Sequence, residues 1–197
     1  MTSMGVDVGG SGVDKTIIAP RYHAYIGELR EYIHESTMST AGRVSGILLN
    51  EGRGQAYAAI DVIGLGNGVY SRVAELGYSA RAFNAASKTD QVDLSGELGF
   101  INLRAAGWWT LRELLDPANN FNIALPPNDM LTGDLTAPRW KVNSTGKIQI
   151  ESKDEIAERI GRSTDHGDAV VMAFALIPAP DYEGILTYDD HVVISPY

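Results

Sequence analysis

The segment Tyr57-Ala58-Ala59-Ile60-Asp61-Val62-Ile63 is a continuous apolar run broken by one carboxylate. A short run of this Val/Ile/Ala character reads as a strand covered on both faces, the kind from which parallel sheets are built. Parallel strands need crossover connections, usually helical, so this segment points the chain toward an α/β sheet. Asp61 is expensive to bury there unless something positive satisfies it. Two other places share the difficulty. Asp7 interrupts Met4-Gly5-Val6-Asp7-Val8-Gly9-Gly10, and Asp165 and Asp168 open a helix in Ser163-Thr164-Asp165-His166-Gly167-Asp168-Ala169. Two strands and a helix start that each carry such an acid suggest one shared partner, and a divalent metal is the simplest.

The whole chain sets bounds on that idea. Its 197 residues, 44% hydrophobic and 21% charged, suit a single globular domain. No apolar run approaches the length of a membrane span, and the N-terminus lacks a basic stretch followed by an apolar one. The chain is therefore expected to be soluble and unexported, with no membrane partner. It has no cysteine, which excludes disulfides, cysteine-zinc sites and thiol catalysis and fits a cytosolic protein. A net charge of −9 argues against a strong nonspecific nucleic-acid binder. The charge is uneven: Arg139 to Arg162 holds six Lys/Arg and four Asp/Glu, whereas Asp165 to the end holds six acids and no Lys or Arg. Any polyanion contact is expected before that tail.

Patterning gives the order of elements. Met4–Val8 and Thr16–Arg21 read as a hairpin across a Gly-Gly-Ser-Gly turn, and the segment 24–36 supplies a third strand. A helix covers Ala41–Leu49, with Ser39 or Thr40 as N-cap. The Tyr57–Ile63 strand follows, then a helix through Val69, Val73 and Leu76 that Gly77 stops, then a strand at Ser79–Asn84. Ser87–Gly99 reads as a loop. Leu103–Leu115 is a helix ended by Asp116-Pro117, and Pro117–Leu131 looks irregular. Arg139–Glu151 is a β-hairpin, Ser152-Lys153-Asp154-Glu155 is a capping box opening a helix to Ile160, and Thr164–Ile177 is a buried helix. The last twenty residues, 178–197, read as an extended acidic tail. The sum is an α/β fold with a central mixed five-stranded sheet flanked by helices.

On the first strand Gly5, Asp7 and Gly9 share a face; on the later one Ala59, Asp61 and Ile63 do. Were these strands parallel neighbours, the two carboxylates would meet at one edge. Asp165 and Asp168 share a helical face. Like charges so close raise one another's pKa and destabilise the fold without a counter-ion. Two Mg²⁺ or Mn²⁺ ions, about 3.5–4 Å apart in such sites, would relieve that repulsion and support phosphodiester hydrolysis. Each acid taken singly also has a bland reading: Asp61 as a strand-end acceptor of backbone hydrogen bonds, Asp165 as an acid favoured by the helix dipole.

Four segments together resemble the nuclease domain of a tailed-bacteriophage large terminase subunit, within the RNase H-like (RuvC-like) superfamily. They are Gly5-Val6-Asp7-Val8-Gly9-Gly10-Ser11-Gly12-Val13-Asp14-Lys15-Thr16, Ile60-Asp61-Val62-Ile63-Gly64-Leu65-Gly66, Phe100-Ile101-Asn102-Leu103-Arg104-Ala105-Ala106-Gly107-Trp108-Trp109, and Ser163-Thr164-Asp165-His166-Gly167-Asp168-Ala169. The resemblance runs from Gly5 to about Leu176. It implies that the acids of the first strand, the fourth strand and the last helix, Asp7, Asp61 and Asp168, bind two metals, with Asp165 as a fourth member and His166 in a secondary role at most. It implies cleavage of concatemeric double-stranded phage DNA at the start and end of packaging, with little sequence preference. A small terminase subunit and a portal protein are the implied partners, and the implied place is the infected host's cytoplasm, at the procapsid portal and not in the mature virion. The same resemblance makes the 139–151 hairpin an addition beside the site that gates it. Lys15, Arg139, Lys141 and Lys147 are candidate phosphate contacts. Large terminases also carry an ATPase domain with a Walker loop, and no G-x-x-x-x-G-K-[ST] occurs in this sequence. Asp7 lies too near Met1 for a preceding domain, so the chain is expected to be a fragment that neither hydrolyses ATP nor translocates DNA.

Other readings are weaker. Gly64-Leu65-Gly66-Asn67-Gly68-Val69 imitates a dinucleotide fingerprint, but Val69 stands where the third glycine belongs. The histidines form no zinc-binding pair, and there is no nucleophile elbow. Asp7-Val8-Gly9-Gly10-Ser11-Gly12 looks like the phosphate loop of actin-like sugar kinases, which need two lobes. A junction-resolving nuclease of the RuvC kind and a non-catalytic docking module of the packaging motor remain as rivals. Of Trp108 and Trp109, adjacent on one helix, at least one belongs to the core.

Overall fold

The apolar run around Asp61 is indeed one of a pair of parallel strands. In a computed structural model that describes residues 1–10 and 15–179, β1 (Ser3–Asp7) and β5 (Tyr57–Asp61) lie side by side, with Val6 opposite Ile60. Asp14 and the tail from residue 180 onward lie outside the described residues. β2 (Lys15–Tyr22) pairs antiparallel with β1, and β6 (Ala80–Phe83) extends the sheet in parallel beyond β5. The expected third strand is in two pieces, β3 (Tyr25–Ile26) and β4 (Arg30–Ile33), both on the outer edge of β2. Pro20 is the reason for the break. Its carbonyl faces that edge and accepts from Gly27 N–H at 2.8 Å, but it has no N–H to offer in return. The sheet therefore has five strand positions in mixed orientation, the outermost shared by β3 and β4.

Each face of this sheet is covered, as the run predicts. Met4, Val6, Ala58 and Ile60 pack with Val44 and Ile47 of α1 (Thr37–Ile47) and with Val69 and Val73 of α2 (Gly66–Glu75). The opposite face carries α3 (Leu103–Leu115) and α6 (Asp165–Phe174). Nearly every side of α6 is apolar, and His166 to Phe174 are all buried. Its approach to β1 is close. A Cβ on Gly5 would overlap the Ala169 carbonyl oxygen and stand 2.7 Å from the Ala173 nitrogen. Ser3 Oγ adds a hydrogen bond to the Ala173 carbonyl at 2.9 Å.

α3 matches its expected limits, and so does the hairpin of β7 (Trp140–Val142) and β8 (Ile148–Ile150). α5 (Lys153–Ile160) opens with both hydrogen bonds of the Ser152/Glu155 capping box. α1 begins a turn earlier than the sequence suggests, because Ser36 and not Ser39 caps it, and it runs on into a π-helical turn at Leu48–Gly52. α4 (Asp129–Thr136) begins at the end of the Pro117–Leu131 stretch that reads as irregular and runs beyond it. Its threonines and Gly133 are poor helix formers. Tertiary burial decides the matter: Leu131 packs among Val170, Val171 and Phe174 of α6, and Asn128 caps the start. No helix among the described residues is long and apolar enough to cross a membrane.

The Gly5 contact predicts an outsized effect of one methyl group. Gly5→Ala should destabilise the protein by about 3 kcal/mol, at the upper end for overpacking because the obstacle is backbone. Thermal melts would measure this, and an unchanged Tm would show that α6 can slide.

Candidate functional site

Because Val6 faces Ile60 in parallel register, Asp7 and Asp61 end neighbouring strands at the same edge of the sheet. This is the crevice outside the carboxyl ends of strands, where α/β sheets place their ligands. α6 begins over the same edge, and Asp168 in its first turn joins them. The three carboxylates line a cleft of about 590 Å³, together with Arg104 of α3, Gln149 and Ile150 of the hairpin and Lys153 of α5. Asp7 and Asp168 are each 6% exposed, whereas Asp61 is partly open and accepts from Ile63 N–H at 2.9 Å. The turn after β5 wraps tightly. A Cβ on Gly66 would overlap the Asp61 carbonyl oxygen, so the glycines there serve this close turn.

The centre of the cleft belongs to Lys153, which stands in the sequence only as part of a capping box. Its Nζ lies 3.2 and 3.3 Å from the two Asp7 oxygens and 3.3 Å from Asp168 Oδ2. Burial disfavours the ammonium, but Asp168, Asp7, Asp165 and Asp61 outweigh it and hold Lys153 above the ordinary lysine range. One ammonium does not neutralise the cluster. Burial pushes the Asp7 carboxyl well above the usual range against the pull of Lys153, and Asp168, Asp165 and Asp61 push it further. Burial likewise raises Asp61, opposed by the Ile63 amide and Lys153. The sequence does hold one signal for Lys153: a lysine in the first turn of a helix runs against the helix dipole.

Asp168 is held on three sides. Trp108 Nε1 donates to Oδ1 at 3.0 Å, Thr164 Oγ1 donates to Oδ2 at 2.8 Å, and Lys153 occupies the third side. Trp108 is thus both core and a support of the cleft, while Trp109 bonds Glu113 and meets Trp140 edge-on. Arg104 is a second cation absent from the sequence candidates as a site residue. Its Nη1 donates to the Glu151 carbonyl, and its Nε stands 3.9 Å from Asp168 Oδ1.

The other candidates lie around the cleft. Asp165, one turn before Asp168, is half-buried and acts on Asp7 and Lys153 through its charge. His166 turns away from the cleft to Glu31, with Nε2 2.8 Å from Oε1. Lys15 is paired with that same Glu31 at 2.7 Å. Arg139 and Lys141 line a separate hollow of the hairpin with Glu151 and Glu155, and Lys147 packs beside Gly99.

Among the described residues no three His, Asp or Glu side chains stand at metal-ligand separation, and the Lys153 ammonium lies between Asp7 and Asp168. The chemistry of the set nonetheless suits a hard cation. All the donors are carboxylate oxygens, and their negative charge exceeds what one lysine offsets.

Neither a protein-family model nor a curated protein sequence matches the chain. Solved structures do. The nuclease domain of the large terminase subunit of bacterial virus Sf6 is similar with a TM-score of 0.70 at 17% identity, over 87% of this chain and 86% of that one. The large terminase nuclease of thermophilic phage G20c with bound magnesium gives 0.59 at 14% identity, over 88% and 79%. The Thermus phage P74-26 large terminase nuclease domain gives 0.59 at 14%, over 87% and 77%. The chain shares the RNase H-like fold of these domains.

The raised Asp7 pKa has a sign that can be tested. The folded state holds the Asp7 proton more tightly than the unfolded chain, so stability falls as pH rises from the ordinary carboxylate range through the raised value. In a chelator, Asp7→Asn should match the parent in acid and exceed its Tm at neutral pH. A parent that gains on the variant as pH rises would contradict this.

Proposed function

We propose that this chain is the DNA-cleaving domain of a phage large terminase, an endonuclease that hydrolyses phosphodiester bonds with divalent cations. The observation that carries the reading is the convergence of Asp7, Asp61 and Asp168, from two parallel strands and a helix, in one cleft beside a hairpin. The shared fold with terminase nuclease domains supports it.

Asp7, Asp61 and Asp168 would hold two Mg²⁺ or Mn²⁺ ions, with Asp165 adding charge from the next turn. When bound, such ions polarise the phosphate and lower the pKa of water, which is the chemistry of phosphodiester hydrolysis. The protein's own residues do the rest. Trp108 and Thr164 fix the Asp168 carboxylate in one orientation. Lys153 balances part of the charge of Asp7 and Asp168, and its ammonium would stand at the cleft to meet a DNA phosphate. Lys141 and Arg139 on the hairpin face, with Lys147 and Lys15 nearby, would follow the duplex backbone. These contacts are few and lie on an acidic chain, so the isolated domain would bind DNA weakly. In the infected cell it would cut concatemers at the start and end of packaging at the procapsid portal. An ATPase domain, the portal protein and the small terminase subunit would supply grip and timing.

The test is cleavage of supercoiled plasmid and linear duplex with Mg²⁺ or Mn²⁺. Asp61→Asn should lower the rate at least about 100-fold, the scale of losing one charged contact to the transition state, while its Tm stays near the parent's. A variant that cuts as well as the parent would remove the assignment. Strong preference for four-way junctions over linear duplex would favour a resolving nuclease instead.

A further inference from the structure

Helix α6 carries Asp168 of the cleft and Asp165 beside it in its first turn, yet its own N-cap residue does not cap it. Thr164 occupies the N-cap position, but its side chain accepts no backbone N–H of the helix. Its hydroxyl is spent on Asp168, donating to Oδ2 at 2.8 Å. The first-turn amides are satisfied from elsewhere. Asp134 of α4 reaches across, and its Oδ2 accepts from His166 N–H at 3.0 Å and Gly167 N–H at 3.1 Å. Its other oxygen pairs with Arg162, just before α6. Asp134 is wholly buried, on the flank of α6 turned away from the cleft. On the same flank the His166 ring is tied to Glu31.

We infer that Asp134 is a positioning residue for the acidic cleft: by capping α6 from another helix it releases Thr164 to orient the Asp168 carboxylate. The physical logic is a division of labour. A threonine hydroxyl can accept as well as donate, but turned toward Asp168 Oδ2 the Thr164 oxygen receives no first-turn amide, so those amides need another acceptor. Left alone, the turn would lose its cap, and buried N–H groups without partners would favour a frayed or rotated start. Asp168 would then leave the arrangement around Lys153. A full negative charge suits the task, since the helix N-terminus favours it and Arg162 balances it. Tight packing fixes the geometry: a Cβ on Gly167 would stand 2.8 Å from the Trp108 ring and 3.0 Å from the Asp134 Cβ.

This inference rests on the cleft being a cation site, and the test separates the two. Mn²⁺ binding to parent, Asp134→Ala and Asp134→Asn would be measured by calorimetry, with amide hydrogen exchange at His166 and Gly167 followed in parallel. Asp134→Ala should expose both amides and weaken Mn²⁺ binding about 10-fold or more, the usual cost of losing a ligand's outer support. Asp134→Asn keeps an oxygen acceptor and should retain protected amides and most of the affinity. That rescue distinguishes positioning from bulk stability, because Asn also breaks the Arg162 pair. Should Asp134→Ala not fold, Asp134→Asn decides alone: lost Mn²⁺ affinity with both amides still protected overturns the inference. Parent-like Mn²⁺ affinity in a folded Asp134→Ala overturns it too. A parent that binds no Mn²⁺ removes the cation site and this inference with it.

Discussion

Lys153 brings one positive charge to a cleft lined by the carboxyl groups of Asp7, Asp61 and Asp168, with Asp165 acting from beside it, and the neighbouring structure is arranged around that imbalance. At separations near 3.3 Å from Asp7 and Asp168 the ammonium screens carboxylates that would otherwise repel across a dehydrated gap. It does so incompletely. Asp7 still has its carboxyl pushed well above the usual range by burial, although a cation touches both of its oxygens. A site built this way carries more carboxylates than its own lysine can pair.

The fold delivers this arrangement through backbone contacts more than through the acids themselves. Parallel pairing of β1 and β5 sets Asp7 beside Asp61, and the missing Gly5 side chain lets α6 lie on the sheet close enough for Asp168 to join them. Asp7, Asp61 and Asp168 come from three different elements, so the cluster exists only when β1, β5 and α6 are all in place. Behind it, Asp134, Trp108 and Thr164 fix the first turn of α6 from three directions. The mobile chemistry expected of the cleft is thus mounted on elements that are rigid because they are buried.

Much of this was legible because it is periodic or out of place. The Tyr57–Ile63 run reads directly as a doubly covered strand, and the acid inside it stands out against its apolar neighbours. Strand parity puts Gly5 on one face with Asp7 and Ala59 on one face with Asp61. Illegible features depend on residues far apart in sequence. α4 has weak propensity and forms because Leu131 finds the side of α6. Lys153 looks like an ordinary solvated lysine in a capping box until α5 is docked against Asp7. The pairing of Lys15, a candidate phosphate contact, with Glu31 on the neighbouring strand is likewise set by strand register. Pro20 splits the edge strand through a missing N–H whose direction only the register reveals.

The central claim is that Lys153 stands where a divalent cation belongs. A crystal structure of the protein soaked in Mn²⁺, with anomalous scattering to locate the metal, tests it most directly. The account predicts manganese between Asp7, Asp61 and Asp168, with the Lys153 ammonium displaced from Asp7 and Asp168. Manganese bound elsewhere, or an undisplaced Lys153 in a crystal that holds the metal, would contradict it.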